Sequence, residues 1–171
     1  MGNLLKYSGI VTKIRAMEAK LLTPEQFADI ANLRSVPDIA DYLRKNTAYA
    51  EVLDTLTEDQ IHRGNIEKVL VQSLYHDYTK IYRFCGQSQR EFMKLIMKGY
   101  EIELINYCLR IVINHYKKPF DLNYTSAFFD RYSQISIGKL ITARTTDELV
   151  ENLKETEYYA PLKKIKDNDN V

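Results

Sequence analysis

The chain has no tryptophan, and its 171 residues include only 6 glycines, 4 prolines and 2 cysteines. So few helix breakers over this length favour long helices. The cysteines, Cys85 and Cys108, lie in apolar helical contexts without metal-ligand spacing, and read as reduced core thiols of a cytoplasmic protein. Charge of one sign is lacking as well. There are 24 basic against 23 acidic residues, a net charge of +1, which argues against nucleic-acid binding, where affinity rests on clustered Lys and Arg. Residues 1–12 hold no apolar block of signal-peptide length. The longest apolar-looking stretch, 104–113, is broken by Asn106 and Arg110, so no direct membrane insertion is expected.

The chemistry of common active sites is also missing. Neither a G-x-x-x-x-G-K-[ST] phosphate loop nor a G-x-G-x-x-G loop occurs. His62, His76 and His115 lack metal-binding partners at helical or Cys-x-x-Cys spacing, and read as surface or helix-end histidines. Glu101 and Glu103, two apart on a helix, point to different faces and cannot act together on one bond. Ser133 and Ser136 have no nucleophile-elbow context. No catalytic, cofactor-binding or metal-ligating residue is expected, and the chain does not read as an enzyme.

What is present is a helical chain with material for a core: 45% hydrophobic residues, 27% charged, and 13 tyrosines that can anchor helix packing. Apolar residues recur at helical period over 5–21. Thr23-Pro24-Glu25-Gln26 combines an N-cap, a proline at the first helical position and a capping-box glutamine. The helix it opens is expected to turn Phe27, Ile30 and Ala31 inward. Ser35-Val36-Pro37-Asp38 opens a third helix, and a short fourth follows around Tyr49 to Leu56. Thr57-Glu58-Asp59-Gln60 is a further capping signature, predicting a long helix to about Phe84, closed by Gly86. A second long helix runs from Ser88 to about Tyr116, with Phe92, Leu95, Ile96, Tyr100, Leu104, Tyr107 and Ile111 as its stripe.

The fold class is all-α: a helical-hairpin domain with flanking short helices. Residues 1–118 form the first domain, with a long antiparallel hairpin over 58–116 that ends at Lys117-Lys118-Pro119. Residues 119–163 open a second, incomplete domain with short helices over 124–132, 136–141 and 146–154. Residues 164–171 are a polar tail.

One helical phrase occurs twice. At an offset of 110 residues, Arg34 falls on Arg144, Ser35 on Thr145, Asp38 on Glu148, Ile39 on Leu149 and Leu43 on Leu153. A one-residue slip then sets Thr47 on Thr156, Tyr49 on Tyr158 and Leu53 on Leu162. Capped amphipathic helices resemble one another, but capping does not require the shared Thr-x-Tyr. A period this long makes each copy a small helical domain rather than a solenoid unit. One full copy and the opening of another predict that more chain should follow.

Polar groups interrupt the apolar stripes. Arg15 and Glu18 stand three apart in the first helix, close enough to pair. Glu101, Asn106 and Arg110 do the same in the second long helix. They read as buried or half-buried contacts that fix helix register, or as polar points on a surface that receives another protein. Tyr49 and Arg83 join them as interface candidates.

The segment "YSGIVTKIRAMEAKLLTPEQF" resembles the N-terminus of the C subunit of the bacterial and archaeal V/A-type rotary ATPases, counterpart of the d subunit of the eukaryotic V-ATPase. Tyr7, Arg15-Ala16-Met17-Glu18 and Leu21-Leu22 fill that family's positions. The Ser35 to Leu53 segment and "MKGYEIELINYCLR", residues 97–110, resemble its following elements, with Glu101, Asn106 and Arg110 in matching places. The resemblance implies a non-catalytic rotor component built from three related helical domains about a pseudo-threefold axis, shaped like a funnel. Such a component couples the central shaft, made of the D and F subunits, to the membrane proteolipid ring in ATP-driven proton or sodium transport. It would be cytoplasmic, peripheral to the membrane, and free of cofactors. Only the family's N-terminal half is represented, so apolar faces left uncovered predict some self-association. An unrelated helical scaffold that binds helical partners is the alternative.

Overall fold

The computed structural model describes residues 2–116 and 121–164, and the side chains from residue 7 onward. The expected hairpin end at Lys117-Lys118-Pro119 lies outside the described residues, as does the polar tail beyond Lys164. Among the described residues there are ten α-helices and no strand. The fold is all-α. The chain divides into two compact units, Met1–Ser88 and Gln89–Val171. That boundary falls inside the 58–116 stretch, so each long helix is described within its own unit.

The first unit holds α1 (Gly2–Glu18), α2 (Pro24–Ala31), α3 (Val36–Asn46), α4 (Ala50–Leu53) and α5 (Arg63–Phe84). Local chemistry sets the helix starts. Thr23 Oγ1 accepts from Gln26 N at 3.2 Å while Gln26 Oε1 accepts from Thr23 N at 3.0 Å, a closed capping box with Pro24 just inside the helix. Ser35 Oγ accepts from Asp38 N at 3.2 Å and starts α3. Each such cap is worth about 1 kcal/mol. The helices are then tied to one another. Gln26 Nε2 donates to the Asn46 carbonyl at 2.8 Å, and the Tyr42 hydroxyl donates to Asp29 at 2.8 Å. Ala40, Leu43, Leu53, Ile66 and Val69 form the core, flanked by Ile39, Tyr49, Val52 and Leu56.

Three expectations for this unit change. Gly86 does not close α5 as a left-handed glycine, since no described glycine has a positive φ and the helix ends at Phe84 with an extended Cys85 as its C-cap. Phe27 and Ala31 face solvent, and only Ile30 of that trio packs against the core. The Thr57 capping box closes, but on a single 3-10 turn, Glu58–Gln60. The chain then kinks through Ile61, and α5 starts at Arg63 with His62 as its N-cap. A capping signature sets only one turn, and the extended backbone of His62 ends that turn before a helix can propagate.

The second unit holds α6 (Gln87–Ile113, its first two residues preceding the boundary), α7 (Ser126–Tyr132), α8 (Ile137–Thr142), α9 (Thr146–Glu151) and α10 (Tyr159–Leu162). Its buried residues include Met93, Met97, Leu104, Ile105, Cys108 and Val112 from α6, with Leu122, Phe129, Ile135, Ile137, Leu140, Leu149, Val150 and Leu153 from the later segments. The apolar stripe expected on α6 is therefore largely on the wrong side. Phe92 is 63% exposed, and Leu95, Ile96, Ile102 and Tyr107 are exposed with it. The helix is apolar on two opposite faces, and periodicity alone did not choose between them. It also stops earlier than expected. His115 takes a left-handed conformation (φ 50°), with His115 N bonded to the Val112 carbonyl and Tyr116 N to that of Ile111. This is the Schellman stop that usually falls to glycine.

The twice-written phrase folds locally in the same way in each unit. Thr145 Oγ1 accepts from Glu148 N at 3.1 Å, as Ser35 does from Asp38. Leu43 and Leu153 are both buried. Thr47 Oγ1 donates to the Leu43 carbonyl and accepts from Tyr49 N at 3.2 Å. Thr156 Oγ1 donates to the Leu153 carbonyl and accepts from Tyr158 N at 3.3 Å. Tyr49 and Tyr158 then stand at the N-cap positions of α4 and α10, each accepting on its carbonyl from a leucine N–H four residues on.

Candidate functional site

The structure separates the candidate residues. Arg15 and Glu18 on α1 are both exposed, and no ion pair joins them. Arg83, in the last turn of α5, is exposed. Asn106 and Arg110 lie on the solvent side of α6. Arg110 is nine residues from Glu101, about two and a half turns, and so on the opposite face of the helix. Among the described residues, no side-chain hydrogen bond or ion pair joins any two of the candidates. Two of them, Glu101 and Tyr49, each anchor a distinct local environment.

Glu101 is 2% exposed, a carboxylate on the buried face of α6 between Met97, Leu104 and Ile105. A buried charge is costly unless every lone pair is satisfied. Here Oε1 accepts from Ser133 Oγ at 2.5 Å and from Gln134 N at 3.1 Å. Oε2 accepts from the Tyr158 hydroxyl and more weakly from Gln134 Nε2 at 3.4 Å. Ser133 Oγ in turn accepts from Ile135 N at 3.0 Å. Outside the carboxylate, Glu157 pairs with Lys98 at 2.8 Å and accepts from Gln134 Nε2 at 2.8 Å. Partial burial, then the bond to Glu101, pushes the Tyr158 phenol well above its ordinary range.

This arrangement is structural in its chemistry. Neutral donors compensate the carboxylate, and it binds α6 to the turn after α7 and to the turn before α10. The Ser133 hydroxyl donates to the carboxylate, but its oxygen is already taken up by the Ile135 N–H. Among the described residues, no group of three His, Cys, Asp or Glu side chains could hold a metal ion. Sequence reasoning picked Glu101 but missed its donors. The available signal was the repeated Thr-x-Tyr, whose second tyrosine makes the contact.

Tyr49 is half-buried and lines a cleft of about 220 Å³ in the first unit. The cleft is walled by Lys13, Met17 and Lys20 from α1 and the turn after it, by Glu51 and Val52 from α4, and by His76, Asp77 and Lys80 from α5. Lys80 pairs with Asp77 at 3.2 Å, and the Lys13 ammonium sits 5.5 Å from the centre of the Phe84 ring.

Residues 10–171 match the family model described as ATP synthase (C/AC39) subunit. The chain belongs to the ATP synthase C/AC39 family. Within the family it is 25% identical over 161 residues to the A-type ATP synthase C subunit of Thermococcus kodakarensis, covering 93% of this chain and 41% of that protein. It is 27% identical over 158 residues to the corresponding protein of Methanosarcina mazei, covering 92% of this chain and 43% of its relative. The Archaeoglobus fulgidus protein, also an A-type ATP synthase C subunit, is 25% identical over 169 residues, 98% of this chain and 48% of the relative. This C/AC39 chain thus spans less than half the length of these curated relatives. No solved structure matches it. Among the described residues, no helix of this family member is long and apolar enough to cross a membrane.

Proposed function

We propose that the chain acts as a non-catalytic subunit of a rotary ATP synthase or ATPase of the A/V type, in the part that joins the central shaft, made of the D and F subunits, to the membrane proteolipid ring. The observation that carries this reading is the family match over residues 10–171, supported by relatives that are A-type ATP synthase C subunits. Physical character agrees. A coupler must resist deformation rather than perform chemistry, and close-packed helical units deform little. The buried Glu101 network adds directional bonds where apolar packing alone would allow sliding.

On this reading the chain carries part of a series of related helical domains, residues 1–118 being the first domain and 119–163 the opening of the next, a division that differs from the two compact units. The protein is peripheral to the membrane, held there by its partners, and drives no ATP chemistry of its own. Of the candidates, exposed Arg15, Arg83, Asn106 and Arg110 are available to partners, whereas Glu101 serves the fold.

The test is reconstitution. The chain, tagged and folded, is passed over immobilised D–F shaft and over detergent-solubilised proteolipid ring, alone and together. Retention by either, abolished by charge reversal at Arg83 or Arg110 with unchanged circular dichroism, is the expected result. A folded chain that binds neither partner at tens of micromolar removes the coupling assignment.

A further inference from the structure

The parallel between the two Thr-x-Tyr elements has an unequal ending. In the second unit the Tyr158 hydroxyl meets a carboxylate, Glu101, supplied from α6. In the first unit Tyr49 occupies the same place in the same local fold, with closely similar backbone angles (φ −86°, ψ 0° against φ −78°, ψ −19°). Its hydroxyl has no hydrogen-bond partner among the described residues. Beside it is a cleft rather than an acid.

The walls of that cleft suit an acid. Lys13, Lys20 and Lys80 line it with Glu51 and Asp77, one net positive charge. Asp77 is already engaged by Lys80. Lys20 makes no ion pair among the described residues and is free to take a ligand. Met17, Val52 and Ala16 supply an apolar floor. The volume, about 220 Å³, is smaller than most small-molecule pockets, which run from roughly 300 to 1,000 Å³, but it has room for one side chain and its carboxylate.

We propose that the cleft between α1, α4 and α5 receives an acidic side chain from a protein partner, its carboxylate accepting from Tyr49 and pairing with Lys13 and Lys20. The first unit thereby obtains from outside the acid that the second supplies from its own long helix. The inference does not depend on the rotary assignment, because it rests on this unit's charges and on the correspondence of the two tyrosines. Partial desolvation in the cleft strengthens each charge-assisted hydrogen bond beyond its worth on an open surface.

The experiment uses the isotope-labelled full chain and two blocked tetrapeptides, Ac-Gly-Glu-Glu-Gly-NH2 and its Gln-Gln counterpart. Saturable amide shifts confined to the neighbourhood of Tyr49, Ser73 and His76 are expected with the Glu peptide and not with the Gln peptide. Lys13→Gln with Lys20→Gln weakens binding at least fivefold, and Tyr49→Phe weakens it severalfold, each with an unchanged circular dichroism spectrum. Absence of saturable shifts at 20 mM peptide overturns the proposal, as does equal binding of the Gln peptide. Indifference to the double lysine variant, or to Tyr49→Phe, does the same. Inorganic phosphate is the control probe. If it competes with equal or greater affinity than the Glu peptide, the cleft is a free-anion site and the peptide proposal fails.

Discussion

The Tyr158 hydroxyl donates to the carboxylate of Glu101, 57 residues earlier in the chain. The bond joins the second unit's long helix to its last turn through a charged acceptor that is out of reach of water. Ser133 and Gln134 share the same acceptor, so the contact belongs to a network rather than to a pair.

Removing either end should therefore cost more than a neutral hydrogen bond, whose net worth is about 1 kcal/mol. Tyr158→Phe is expected to destabilise by about 1–2 kcal/mol, and Glu101→Ala by about 2–3 kcal/mol because Ser133, Gln134 N and Tyr158 all lose their shared acceptor and α6 loses buried side-chain volume. Glu101→Gln falls between them. Urea unfolding of the single and double variants measures the coupling, expected at about 1 kcal/mol. Additive losses would show that the bond carries no energy of its own.

Stability should fall at alkaline pH, and the sign follows from Tyr158. Its phenol titrates higher folded than unfolded, through burial and then the bond to Glu101, so the folded state favours the neutral form. That contribution is complete below about pH 10, the unfolded value, and is lost as pH rises from there through the folded value. Tyr42, beside Asp29, and Tyr100, through burial and then Glu103, shift in the same direction. Tyr158→Phe should therefore flatten the decline between pH 9.5 and 11 without abolishing it, as followed by urea midpoints.

Cys108 should be chemically silent in the native state. Burial pushes its thiol up to about 12, and its side chain is fully buried, so little thiolate forms and reagents cannot reach it. In a Cys85→Ser background, labelling by a thiol reagent at pH 8 is expected to run at least a hundredfold slower than in denaturant. Labelling at the denatured rate would contradict the packing of α6.

His115 holds the left-handed position that ends α6. A side chain there costs roughly 1 kcal/mol relative to glycine, partly offset by the greater unfolded-state entropy of glycine. His115→Gly should leave stability equal or raise it by up to about 0.5 kcal/mol, whereas His115→Val should lower it by about 1 kcal/mol or more. Thermal midpoints distinguish the two.

The helical class and most helix starts were legible because their causes are local. Thr23, Ser35 and Thr145 cap the helices that follow them, as hydroxyls at such positions do. What was not legible depended on partners distant in sequence. The face that α6 buries is not chosen by its own pattern, since Phe92 and Met93 are both apolar and only one is covered. The end of α6 escaped notice because a histidine stands where glycine is usual. Glu101 stood out as a polar break in an apolar run, but its donors lie on turns whose positions only the packed chain defines.

The order of synthesis gives the Glu101 network a further meaning. Every partner of that carboxylate is made after it, at Ser133, Gln134 and finally Tyr158. As α6 emerges, none of the donors to its acid has yet been made. Ser133 and Gln134 can reach the acid first, but the network is complete only once Tyr158 has left the ribosome. Its closure is thus a late, long-range event in the life of the nascent chain, and the interval before it is when the two-faced helix is most open to a chaperone or to aggregation.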